Sequence, residues 1–143
     1  MSKLENNGFN TDEKAAIKQA LAEKRKKGKQ SHEQDLADVL AAIGALPDAD
    51  RALAEWFHHL VLEVAPDLQP KTFYGMPAYY RDGKNVVFFQ GGTKFKTRYS
   101  TLGFTDNAAL DDGELWPVAY AISAKTESVD KAIRQLLKRA THV

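Results

Sequence analysis

"KTFYGMPAYYRDGKNVVFFQGGTKFKTRYSTLGF", residues 71–104, decides the fold of this chain. Aromatic and β-branched residues recur in it at strand spacing, broken at short intervals by turn signals. "RDGK" puts Asp82-Gly83 at the centre of a two-residue hairpin, where both central residues take positive φ. "QGGT" reads as a second such turn, at Gly91-Gly92. Counting outward from the first turn pairs Arg81 with Lys84, Tyr80 with Asn85, Tyr79 with Val86 and Ala78 with Val87. From the second, Phe88 pairs with Phe95, Phe89 with Lys94, Val87 with Lys96 and Asn85 with Arg98. Gly75 and Pro77, flanking Met76, mark a sharp bend or bulge ahead of these strands.

Paired residues share a face of a sheet. One face then collects Tyr79, Val86, Phe88, Phe95, Thr97 and Tyr99 and is expected on the core. The other collects Tyr74, Met76, Tyr80, Val87, Phe89, Lys94, Lys96 and Arg98. Aromatic rings beside a row of cations suit an anionic or planar ligand. Lysines on a strand also serve to block edge-to-edge aggregation, which is the plainer reading of the same row.

Helical periodicity surrounds this segment. Ser31 with Gln34 forms a capping-box pattern ahead of a stripe of Leu36, Val39, Leu40 and Ile43, with Gly44 as terminator. Pro47 with Asp48 or Asp50 starts the strongest helix, whose apolar positions are Leu53, Trp56, Phe57, Leu60, Val61 and Val64. Pro66 stops it. "VAYAIS", residues 118–123, reads as another strand. Thr126 or Ser128 opens a last helix with Val129, Ile133, Leu136 and Leu137 inward. Ahead of that strand, "TDNAALDDGELWP", residues 105–117, holds a short helical turn and an acidic loop. Near the N-terminus, Thr11 and Asp12 can cap a helix running to Gly28, with a thin stripe of Ile17, Ala20 and Leu21 and a basic end. The reading is therefore 1–30 as a charged helix and linker, and 31–143 as a single α+β domain with an antiparallel sheet packed on one face by helices.

Composition narrows the function. A chain of 143 residues with 43% apolar content fits one domain that buries about two-thirds of its unfolded surface. Twenty basic against nineteen acidic residues, net +1, argue against a generic nucleic-acid or membrane-surface binder. The absence of cysteine removes disulfides and thiolate chemistry and fits a reducing cytoplasm. No apolar run approaches the ~18 residues of a membrane span, and the polar first residues do not form a secretory signal.

No catalytic constellation assembles. None of His32, His58, His59 and His142 accompanies a nucleophile-elbow serine, and "QGGTKFK" lacks the spacing and the strand-to-helix setting of a phosphate-binding loop. Glu55, His59 and Glu63, four apart, share one helical stripe and could hold a hard or borderline metal ion; a solvated helix face has the same pattern. Asp111, Asp112 and Glu114 lack calcium-loop spacing and read as a solvated turn. Trp56 and Trp116 read as packing residues.

The segments "APDLQPKTFYGMPAYYRDGKNVVFFQ" and "KFKTRYSTLGF" resemble the YdhG-like family, a bacterial domain-of-unknown-function family grouped with frataxin-like proteins. The likeness rests on the Pro-Lys-Thr, Tyr-Gly-Met-Pro and Asp-Gly-Lys elements and spans roughly residues 34–140. It implies helices packed on an antiparallel sheet and an iron-delivery role, and brings no catalytic residues. Frataxin-like iron sites rest on a dense acidic ridge, whereas the acidic residues here are scattered. The expectation is a non-enzymatic, cytoplasmic binding protein for a small anionic ligand or a protein partner. An iron chaperone is the alternative, and a small-substrate enzyme comes third.

Overall fold

The computed structural model describes residues 31–142, so the expected helix over 11–28 and its linker lie outside the described residues. The described chain runs α1 (Ser31–Gly44), α2 (Asp48–Val64), β1 (Gln69–Pro70), β2 (Ala78–Arg81), β3 (Lys84–Gln90), β4 (Ser100–Phe104), β5 (Ala119–Ile122) and α3 (Glu127–Ala140). The five strands form one antiparallel sheet in sequence order. This is the expected α+β arrangement.

The first hairpin forms as its sequence dictates. Asp82 and Gly83 both take positive φ (52° and 79°), and Arg81 pairs with Lys84 and Tyr80 with Asn85. Beyond them the ladder slips by one. Tyr79 faces Val87, not Val86, and Ala78 faces Phe88, so Val86 is the extra residue of a β-bulge. The expected bend ahead of β2 is a second tight turn. Tyr74 (φ 50°) and Gly75 (φ 77°) form its centre, while Phe73 and Met76 exchange backbone hydrogen bonds of 2.9 Å.

The second expected hairpin does not exist. β3 pairs instead with β4, Phe89 opposite Leu102 and Gln90 opposite Thr101, and residues 91–99 form a long connection between them. Together with the bulge, this corrects the assignment of faces. Tyr79, Val87, Phe89 and Leu102 are buried in the core with Phe104 and Ile122. Phe88, expected inward, lies on the opposite face, its ring over Gly103 and 5.3 Å from that of Phe73.

Helix α2 covers the core face. Its Trp56, Phe57, Leu60 and Val61 are buried, with Leu53 and Val64 partly so, as the three-and-four spacing requires. Phe57 meets Tyr79 edge-on at 5.6 Å, and the buried His58 Nδ1 shares a 2.8 Å hydrogen bond with the Tyr79 hydroxyl. α3 begins at Thr126, whose hydroxyl accepts the Val129 amide, and buries Ile133 and Leu137 beside α2. The Trp56 indole N–H donates to Asp130, Asp130 accepts from Arg134, and Arg134 reaches Glu63, tying α2 to α3. Trp116 packs at the core margin. From α1 only Val39 and Ile43 are buried; Leu36 and Leu40, expected in the same stripe, are exposed. The segment after β4 makes turns but no helix. Leu110 anchors it in the core, and the Arg139 guanidinium donates to the Leu110 carbonyl.

Two measurements follow. Phe89→Ala should lower stability by about 3–5 kcal/mol in chemical denaturation, the cost of emptying a core aromatic site; on an open face it would cost far less. The second concerns His58, whose imidazole is held below its ordinary 6.5 by burial and, after that, by the charge of His59. Below pH 6.5 the unfolded chain takes up a proton that the folded chain refuses. The stability His58 contributes is therefore full above pH 6.5 and falls as the pH drops, by at most about 1.4 kcal/mol per unit. Denaturation midpoints between pH 7.5 and 5.5 should show this slope, and His58→Gln should flatten it.

Candidate functional site

Residues 93–99, "TKFKTRY", are seven consecutive exposed residues that carry three cations and no acid. They belong to the 91–99 connection, which is built from inside the molecule. Asp50, in the first turn of α2 and only 2% exposed, accepts the Thr93 amide at Oδ1 (3.0 Å) and the Lys94 amide at Oδ2 (2.9 Å). A side chain at Gly91 would run into that carboxylate, and one at Gly92 would strike the Tyr99 carbonyl. The glycine pair thus permits close approach and does not form a two-residue turn. Gly92 donates to the Ser100 hydroxyl at 2.9 Å, and its carbonyl accepts the Thr97 amide at 2.8 Å. Lys96 takes a φ of 59° to complete the fold of the loop.

The expected helix cap is also revised. Pro47 holds the N-cap position without a side-chain bond, Asp48 pairs with Arg51, and Asp50 is spent on the loop. Sequence reasoning assigned Asp50 to helix initiation and so missed the group that organises the candidate site. The signal available was an acid one turn into a helix, which reads as a macrodipole partner.

On this frame Lys94 lies over the Phe95 ring (5.6 Å) and Arg98 over Tyr99 (5.2 Å). Arg98 and Tyr99 line a cleft of about 180 Å³ with Thr93, Thr97, Ser100 and Ser123, and Asp50, Leu53 and Ile122 also border it. Among the described arginines, Arg51, Arg81, Arg134 and Arg139 each donate a hydrogen bond within the protein. The Arg98 guanidinium lies over the Tyr99 ring and donates none to the described residues.

The residues expected on one aromatic and basic sheet face are dispersed. Lys94, Lys96 and Arg98 stand on the loop and not on a strand, because β3 never pairs with them. Phe89 is sealed in the core. Tyr80 lies near the Asp82-Gly83 turn, under the Lys71 ammonium at 5.5 Å, about 17 Å of strand away from the loop end of β3. Burial, then the charges of Asp35 and Tyr74, pushes its phenol above the ordinary range. Tyr74 is 87% exposed at its turn, stacked edge-on against Phe73, with Met76 half-buried beside it. Glu55 and His59 are exposed on α2 and Glu63 is ion-paired to Arg134 at 2.6 Å; among the described residues no three acidic or imidazole groups come together as metal ligands.

Comparison with family models, with curated proteins and with solved structures gives no match. Asp50→Ala should remove two charge-assisted hydrogen bonds, each worth about 1.5–3 kcal/mol. Limited trypsin digestion should then cut at Lys94, Lys96 or Arg98 far faster than in the parent chain.

Proposed function

We propose that this protein is a non-enzymatic binding module that takes a small anionic ligand at the 93–99 loop and the adjoining cleft. The observation that carries the reading is Arg98, which lines the cleft and holds its guanidinium over the Tyr99 ring without a hydrogen-bond partner among the described residues. A planar fork of donors beside hydroxyl groups suits a phosphate or carboxylate, and Lys94 and Lys96 on the same loop add attraction at longer range. Tyr99 and Phe95 offer rings for a planar part of the ligand. Asp50 also lines the cleft, and the Thr93 and Lys94 amides that its two oxygens accept offset part of its charge.

Membership of the YdhG-like family remains part of this proposal, resting on the Tyr-Gly-Met-Pro motif. The iron-delivery role implied by that resemblance is the weaker reading, because it needs free carboxylates and Glu63 is engaged by Arg134.

Calorimetric titration with phosphate, pyrophosphate and mononucleotides at low and high salt tests the proposal. Binding should weaken with salt, and Arg98→Gln should weaken it roughly ten-fold or more with no change in melting temperature. Equal affinity in Arg98→Gln would refute the reading. So would silence towards all these anions together with ferrous-iron binding lost in Glu55→Ala.

A further inference from the structure

The two edges of the sheet are built differently. β1, at one edge, is two residues long and ends in Pro70 with Lys71 after it, features that discourage a further strand from pairing. β5, at the other edge, has none of these protections. It is four residues long, pairs with β4 in unbroken register, and lies in "WPVAYAISA", residues 116–124, without a charge and with no proline after Pro117. Val118, just before it, is 42% exposed, and Leu115 is 91% exposed.

The register determines which backbone groups this edge offers. Phe104 donates its amide to the Val118 carbonyl, and hydrogen-bonded pairs alternate along an antiparallel ladder. Tyr120 therefore bonds to Leu102 and Ile122 to Ser100, from the pairs observed. The amides and carbonyls of Ala119, Ala121 and Ser123 point away from the sheet, and all three residues are exposed. Among the described residues these donors and acceptors are unpaired, and such a row at alternate residues is the template for one more antiparallel strand.

We propose that the β5 edge pairs with β5 of a second copy of this chain, joining two five-stranded sheets across a two-fold axis at Ala121. The sequence is self-complementary in that arrangement. Ala121 meets the partner's Ala121, Ala119 meets the partner's Ser123, and Tyr120 meets the partner's Ile122. The small residues share one face and the large apolar pair shares the other. No like charges are opposed along the strand, so the symmetric contact that a two-fold axis demands carries no repulsion. This inference rests on the strand edge and not on the anion-binding proposal, although Ile122 and Ser123 border both places.

Light scattering coupled to size-exclusion chromatography should give a mass approaching twice 15.9 kDa as concentration rises. Hydrogen exchange at the Ala119, Ala121 and Ser123 amides should slow over the same range. Ala121→Pro removes one outward donor and Ala121→Glu sets two carboxylates face to face. Both should be monomers, with the helical circular dichroism and melting temperature of the dilute parent for Ala121→Glu. If Ala121→Pro fails to fold, Ala121→Glu decides alone. A parent chain that stays monomeric at its highest soluble concentration overturns the proposal, and so does a dimer that Ala121→Glu leaves intact.

Discussion

Tyr79 brings a hydroxyl into the middle of an apolar core, and the placement of α2 depends on how that hydroxyl is satisfied. A buried phenol without a partner costs more than most single contacts return. His58 meets it with a ring nitrogen at 2.8 Å while Phe57 packs on the same ring. Two adjacent residues of α2 thus engage one residue of β2, which fixes the rotation of the helix over the sheet. Leu60 and Val61 then continue the covering stripe, and Asp50, eight residues before His58 on the same broad face, arrives beneath the 91–99 loop. The loop is organised by the same helix orientation that closes the core.

Helices α2 and α3 were legible because their apolar positions repeat at three and four residues, and packing followed that repeat, whereas in α1 it took only Val39 and Ile43 of the expected stripe. The Asp82-Gly83 hairpin was legible too, since few residue pairs tolerate two positive φ values in succession. Two features could not be read locally. Val86 looks like any β-branched strand residue, and nothing in its neighbourhood announces that the ladder skips it. Its effect is large, because a slip of one exchanges the faces of Phe88 and Phe89. Gly91-Gly92 sent a turn signal, but glycine is required equally where another group approaches the backbone closely. Here the approaching groups are a carboxylate 41 positions upstream and the chain's own return at Tyr99. A single sequence without its contact map does not separate those two uses.

The candidate site was partly legible for a related reason. The three cations and their neighbouring rings stood out as a pattern, and all of them are exposed as a working surface requires. Their geometry was not legible, because the alternation that suggested a strand belongs to a folded loop with Lys96 at positive φ. Phe89 was drawn in by the mistaken register, and Tyr80, correctly paired with Asn85, by the second hairpin that does not form. A near-neutral chain can still concentrate three like charges within five residues when a rigid turn keeps them on the outside. Net charge describes the whole molecule and says little about such a patch.

The clasp by Asp50 acts on amides, and amides are common to every residue except proline. The shape of the loop is therefore largely indifferent to which side chains stand at positions 94, 95 and 98. Evolution can rewrite those letters, exchanging a cation for an acid or a ring for an alkyl group, while the frame that displays them stays in place. Such a separation of frame from lettering is how antibody loops diversify, and it gives this small fold a means of changing what it recognises without first having to change how it folds.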